Sequence, residues 1–102
     1  MGHNRPGNGP ETFWEMAMTD ELATSSIALM RERIDEIDAA MIGLWRERAG
    51  LSQQIGAVRV ANGGTRLVLS REQQVIDRFR EAIGVDGTQL ALLVLRAGRG
   101  LL

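Results

Sequence analysis

From Ile27 onward, apolar residues recur along the chain at spacings of three and four: Ile27, Met30, Ile34, Ile37, Met41, Leu44, then Arg48, then Leu51, Ile55 and Val58. Side chains spaced in this way stack on one face of an α-helix and form a heptad seam suited to packing against another helix. No proline interrupts the run, and Asn62-Gly63-Gly64 supplies a stop. Gly43, Gly50 and Gly56 fall inside it. Each weakens a helix by about 1 kcal/mol relative to alanine, so packing must offset them or close backbone approach must require them.

A second helix is predicted after Ser70, where Ser70 and Gln73 form a capping box and Val75, Ile76, Phe79 and Ile83 supply an apolar face. Gly84 ends it. Thr88 caps a third, short helix over residues 89–97, carrying Leu90, Leu92, Leu93, Val94 and Leu95. A segment apolar on nearly every side is expected to be buried between other helices. Gly98-Arg99-Gly100-Leu101-Leu102 reads as a flexible tail. No strand pattern and no internal repeat occur, so the class is all-α, with one long helix and two shorter ones.

The stretch from Met1 to about Asp20 is rich in Gly, Pro and Asn and is expected to be a disordered tail, leaving a single domain over residues 21–102. Phe13 and Trp14 sit there without a period, and Met16 and Met18 are alternative starting residues.

Helix geometry bears on assembly. Residues 27 to 61 as one helix span roughly 50 Å at 1.5 Å per residue. A compact chain of this size has a radius of gyration of only about 13 Å. The seam therefore outruns what its own chain can cover, and an intertwined symmetric homodimer is the expected remedy.

Composition narrows the chemistry. The chain has 102 residues, a net charge of -1, no cysteine and one histidine, His3, among Gly, Asn and Pro. Near-neutral charge gives no global attraction to nucleic acid or to an anionic membrane, so an anion must be held by a local cluster. Disulfides and thiolate metal sites are excluded, and histidine acid–base chemistry and metal catalysis are not expected. No run approaches the ~20 apolar residues of a membrane span, and no secretory signal is read, so a cytoplasmic location is expected.

Against that background Arg48 stands out. A charged side chain within a packed stripe costs several kcal/mol unless something pairs with it. Snorkelling or an ion pair with a partner chain accounts for it about as well as anion binding does. Arg59 tips the reading towards an anion pocket, because eleven residues are close to three turns and place it on nearly the same face. Arg71 lies at the start of the second helix, where the macrodipole disfavours a cation, beside a Glu72 that the dipole favours. Arg31 alone reads as a solvated charge. In an antiparallel dimer it can reach the middle of the mate's helix.

The ordered set Met30-Arg31-Glu32-Arg33-Ile34-Asp35-Glu36-Ile37-Asp38, Trp45-Arg46-Glu47-Arg48, Ile55-Gly56-Ala57-Val58-Arg59 and Ser70-Arg71-Glu72 resembles the all-helical chorismate mutases. Gly63-Gly64-Thr65-Arg66-Leu67-Val68 and the ending Gly98-Arg99-Gly100 resemble their short actinobacterial subclass. The resemblance runs from about Ile27 to the C-terminus. It implies the Claisen rearrangement of chorismate to prephenate in phenylalanine and tyrosine biosynthesis, a step that needs no cofactor, metal or nucleophile. Arginines without His or Cys suit such a task.

The resemblance also implies roles. Arg48, with Arg31 of a second copy, clamps the substrate carboxylates. Arg59 reaches a carboxylate and the ether oxygen, Glu72 accepts a hydrogen bond from the ring hydroxyl, and Arg71 adds positive charge. Val68 stands beside the substrate where highly active members carry an aspartate. The third helix lacks the Ser and Gln pair of longer relatives, and the tail is short. These departures imply a weakly active enzyme, with Gly98 and Gly100 donating backbone N–H groups. They also imply a 3-deoxy-heptulosonate-phosphate synthase partner that orders the tail and raises activity.

Two alternatives stand beside this reading. Isochorismate-pyruvate lyase shares the fold and a similar arginine cage, although Thr65-Arg66 does not look like its basic loop. A non-catalytic helical dimerisation or regulatory module explains the seam but leaves Arg48 unexplained.

Overall fold

The structure, a computed structural model, describes residues 10–100, with side chains described from residue 19 onward. Three helices follow one another: α1 (Pro10–Ala61), α2 (Leu69–Ile83) and α3 (Val85–Arg99). No strand occurs among the described residues. One long helix and two shorter ones is the expected all-α arrangement.

Helix α1 begins well before the periodic seam. Pro10 is its first residue, where a missing N–H costs nothing and a fixed φ is already helical. Residues 11–25 contain no glycine and no further proline, and carry three Glu, two Met and two Ala, all good helix formers. Helix propensity thus overrides the absence of an apolar stripe, and residues 10–20 of the expected tail are helical instead. Residues 1–9 lie outside the described residues, as do the side chains of Phe13 and Trp14.

The predicted stop at Asn62-Gly63-Gly64 is a complete helix-ending motif. Gly63 takes a positive φ of 86°. Its N–H donates to the Val60 carbonyl at 3.1 Å, and the Gly64 N–H donates to the Arg59 carbonyl at 2.7 Å. The Asn62 side chain donates to the Val58 carbonyl at 2.8 Å. Carbonyls left over at the helix end are thereby satisfied within seven residues of chain.

The chain divides into two compact units, one up to Ala39 and one from Ala40 onward. In the first, Leu22, Ile27, Leu29, Met30, Ile34 and Ile37 are all exposed. Arg33 and Glu36, one turn apart, form a solvent-facing ion pair at 2.9 Å.

The second unit has a small core. Val75 of α2 and Ala91 and Leu95 of α3 are buried, with Ile76 and Phe79 packed against them. The two helices are joined by Gly84 alone, whose φ of 95° reverses the chain in one residue. Its N–H donates to the Arg80 carbonyl at 2.7 Å, and the Gly87 N–H donates to the Gly84 carbonyl at 2.9 Å. Gly87 is also needed for space, since a Cβ there would stand 2.1 Å from the Phe79 carbonyl oxygen.

Three boundaries differ from expectation. Ser70 does not cap α2: Val68 is the N-cap in extended conformation, without a side-chain cap bond, and its carbonyl accepts from the Glu72 N–H at 3.1 Å. The short loop, closed by Thr65 Oγ1 donating to the Leu67 carbonyl at 2.8 Å, starts the helix at Leu69, two residues earlier than a cap at Ser70 would. Thr88 does not cap α3 either. The reversal at Gly84 lets α3 start at Val85. At the other end Gly98 and Arg99 continue α3, and Gly100 closes it at a φ of 67°. What remains of the expected tail, Leu101 and Leu102, lies outside the described residues.

Candidate functional site

Within the second unit the turns of α1 bearing Arg48, Ser52, Gly56 and Arg59 face a cleft of about 300 Å³. Spacings of three and four bring those residues to one side of the helix. The connecting loop adds Arg66 and Val68, and the first turn of α2 adds Arg71 and Glu72. Leu51, Ile55, Val75 and Leu95 supply the apolar part of the lining.

Four guanidinium groups therefore share one hollow. None of Arg48, Arg59, Arg66 and Arg71 has a carboxylate within ion-pair distance among the described residues, where the ion pairs are Arg33–Glu36, Asp77–Arg80 and Glu72–Arg99. Arg71 donates to Gln74 Oε1 at 3.4 Å. Arg48 is half-buried. Its guanidinium is pushed below its ordinary pKa, first by burial and then by the like charges of Arg71 and Arg78. A cluster of this kind is electrostatically uncomfortable when empty and is relieved by a bound anion.

Glu72 is the only carboxylate lining the cleft. Arg99, 27 residues on at the end of α3, holds both of its oxygens: Nε donates to Oε2 at 3.1 Å and the terminal guanidinium nitrogen donates to Oε1. That contact raises the Arg99 pKa, chiefly through the hydrogen bond to Glu72. The end of α3 is also held against α1. Gln53 Nε2 donates to the Ala97 carbonyl at 3.0 Å. Gly98 passes so close that a Cβ would lie 2.5 Å from Ser52 Oγ, with an Arg48 guanidinium nitrogen 3.9 Å away.

Of the residues singled out from the sequence, Arg48, Arg59, Val68, Arg71 and Glu72 all line the cleft. Arg31 does not. It belongs to the first unit. Gly98 is not a free donor, because it lies inside α3, where backbone N–H groups belong to the helical ladder. Its absence of a side chain serves close approach instead.

Two residues were missed. Arg66 sits in the turn between two arginine-bearing helices and packs over Gly56, whose hypothetical Cβ would touch it at 3.5 Å. A cation in so short a connection was the available signal. Arg99 was assigned to a flexible tail because glycine flanks it on both sides. The apolar run through Val94, Leu95 and Ala97 was the sign that one more helical turn follows.

Chemically the cleft can bind an anion and stabilise negative charge. No histidine stands among the residues lining the cleft with Ser52, and no group of His, Cys, Asp and Glu suited to a metal occurs among the described residues. No helix among them is long and apolar enough to cross a membrane.

Comparison with known proteins agrees with this chemistry. The chain is 43% identical over 98 residues to the intracellular chorismate mutase of Mycolicibacterium smegmatis, covering 96% of this chain and 86% of that one. It is 47% identical over 85 residues to the intracellular chorismate mutase of Mycobacterium tuberculosis, covering 83% and 80%. Among solved structures, a chain from a non-covalent complex of DAHP synthase and chorismate mutase of Corynebacterium glutamicum, with bound transition state analogue, matches at 43% identity. Its TM-score is 0.74, and the match covers 79% of this chain and 98% of that one. Residues 30–93 match the model of chorismate mutase type II, and the chain belongs to that family.

Proposed function

We propose that this chorismate mutase holds chorismate in the four-arginine cleft and rearranges it there to prephenate by restraint and electrostatics. In the Claisen step the ether C–O bond breaks as a C–C bond forms within one cyclic array of six atoms. Nothing is added and nothing leaves. The work is to select the compact conformer of a dicarboxylate and to stabilise negative charge growing on the ether oxygen. The observation that carries this reading is the gathering of Arg48, Arg59, Arg66 and Arg71 around one hollow, without a paired carboxylate.

In this reading Arg48 clamps a carboxylate and Arg59 reaches the ether oxygen. Arg71 contributes charge, Glu72 accepts the ring hydroxyl, and Val68 borders the substrate without charge. Arg31 completes the pocket from a second copy of the chain. Exposure of the seam from Ile27 through Val58 supports a homodimer, because apolar surface on that scale is stable in water only when covered. The Corynebacterium protein's complex with a DAHP synthase supports a similar activating partner here. The relatives described as intracellular support a cytoplasmic enzyme.

The test is the loss of chorismate absorbance with purified full-length chain, with and without the host's DAHP synthase. Arg48→Ala and Arg59→Ala are each expected to lower kcat/KM by about 10²–10³ or more, the loss typical for one preorganised charge donor, while the dimer persists. Wild-type turnover in both variants would overturn the reading. Pyruvate and salicylate formed from isochorismate, with no prephenate from chorismate, would replace it with the lyase.

A further inference from the structure

Glu72 is the one carboxylate in a cleft that four guanidinium groups line, and it is not held by its own helix. Both of its oxygens are taken by Arg99 from the end of α3. Arg99 is absent from the cleft lining, whereas Glu72 is part of it, so the guanidinium grips the carboxylate from outside the hollow. We propose that Arg99 is a positioning residue for the rearrangement, fixing the Glu72 carboxylate so that its remaining lone pairs meet the ring hydroxyl of the substrate.

The chemistry favours that division of labour. A carboxylate has about four lone-pair positions, and a planar guanidinium engaging both oxygens uses two of them. The other two stay free, their direction set by a rigid fork rather than by a long flexible side chain. Glu72 stands among Arg48, Arg59, Arg66 and Arg71, any of which it would neutralise if it swung towards them. Holding it from behind keeps those four cations available to the substrate carboxylates.

Arg99 is itself well anchored. It lies in the last turn of α3, where the macrodipole favours a cation. Its two neighbours on that turn are tied to α1, Ala97 through Gln53 and Gly98 through contact with Ser52. Side-chain accessibilities of 29% for Arg99 and 16% for Glu72 set this pair apart from the solvent-facing ion pairs, at 70% and 67% for Arg33 and Glu36. A surface pair contributes little, and a partly enclosed two-point pair can fix a geometry.

The inference rests on the role of Glu72 proposed above, and a double-mutant cycle in the full-length dimer separates the two. Arg99→Ala, Glu72→Ala and the double variant are compared with wild type in kcat/KM for chorismate, with circular dichroism and dimer mass as checks on folding. Arg99→Ala is expected to lose about 10–100-fold, the scale of a displaced catalytic group. In the Glu72→Ala background the same change is expected to cost less than about twofold, because Arg99 then has nothing to position. Arg99→Lys, which keeps charge but not the fork, is expected to recover only part of the loss.

Equal losses from Arg99→Ala in both backgrounds, or wild-type turnover in Arg99→Ala, would overturn the proposal. Wild-type turnover in Glu72→Ala would instead overturn the role given to Glu72. If Arg99→Ala does not fold, Arg99→Lys carries the same cycle under the same criteria.

Discussion

The apolar stripe of α1 and the α2–α3 hairpin use similar side chains with opposite outcomes. On α1, Met30, Ile34, Met41, Leu44, Leu51, Ile55 and Val58 are each more than half exposed. In the hairpin, Val75 is 1% exposed and Ala91 is fully buried. The hairpin closes on itself within about thirty residues, a cheap loop in entropic terms. The stripe runs along one helix, and a helix cannot fold back to cover its own face. One set of apolar residues thus stabilises the chain by itself, and the other stays exposed on the single chain, as the proposed homodimer requires.

The strongest way to break that comparison is to charge the stripe. Ile34→Asp combined with Met41→Asp is expected to turn the proposed homodimer into a monomer and to remove nearly all chorismate turnover, because on that proposal each cleft then lacks Arg31 of a second copy. Light scattering and the absorbance assay read both effects. A dimer that survives the double change would mean that the stripe is covered in some other way.

Within the hairpin the expected loss is of stability rather than assembly. Leu95→Ala removes one of the few buried side chains and is expected to cost about 2–5 kcal/mol in denaturant unfolding. Gly87→Ala forces a Cβ against the Phe79 carbonyl and is expected to cost about 1–3 kcal/mol as the helices part. The smallest change sharpens the comparison. Arg33→Ala, breaking an exposed ion pair, is expected to shift unfolding by less than about 1 kcal/mol.

Much of this was readable from the residues alone. The period of three and four gave α1 its seam, and Asn62-Gly63-Gly64 gave its end, because those signals are local. Arg48 and Arg59 were paired by helical geometry, and five of the six substrate-binding residues expected from the sequence do line one cleft. What escaped depends on contacts distant in sequence or on competing local rules. Ser70 and Thr88 looked like caps, yet Val68 and Gly84 began the helices, because backbone conformation delivered by the preceding turn outweighed side-chain capping. Leu92 and Leu93 were expected to be buried and are about half exposed, since α2 covers only one side of α3. The pairing of Glu72 with Arg99 spans 27 residues and leaves no local trace in the chain.

The contact between Gly98 and Ser52 couples two positions distant in sequence. With a Cβ at residue 98 lying 2.5 Å from the serine oxygen, even a methyl group there forces the side chain at residue 52 to shift or to be smaller. Natural sequences of this shape should therefore keep the sum of the two side chains nearly constant. An alanine at 98 is expected to occur with a glycine at 52, and drift at either position alone should be rare. The two sites should evolve as one.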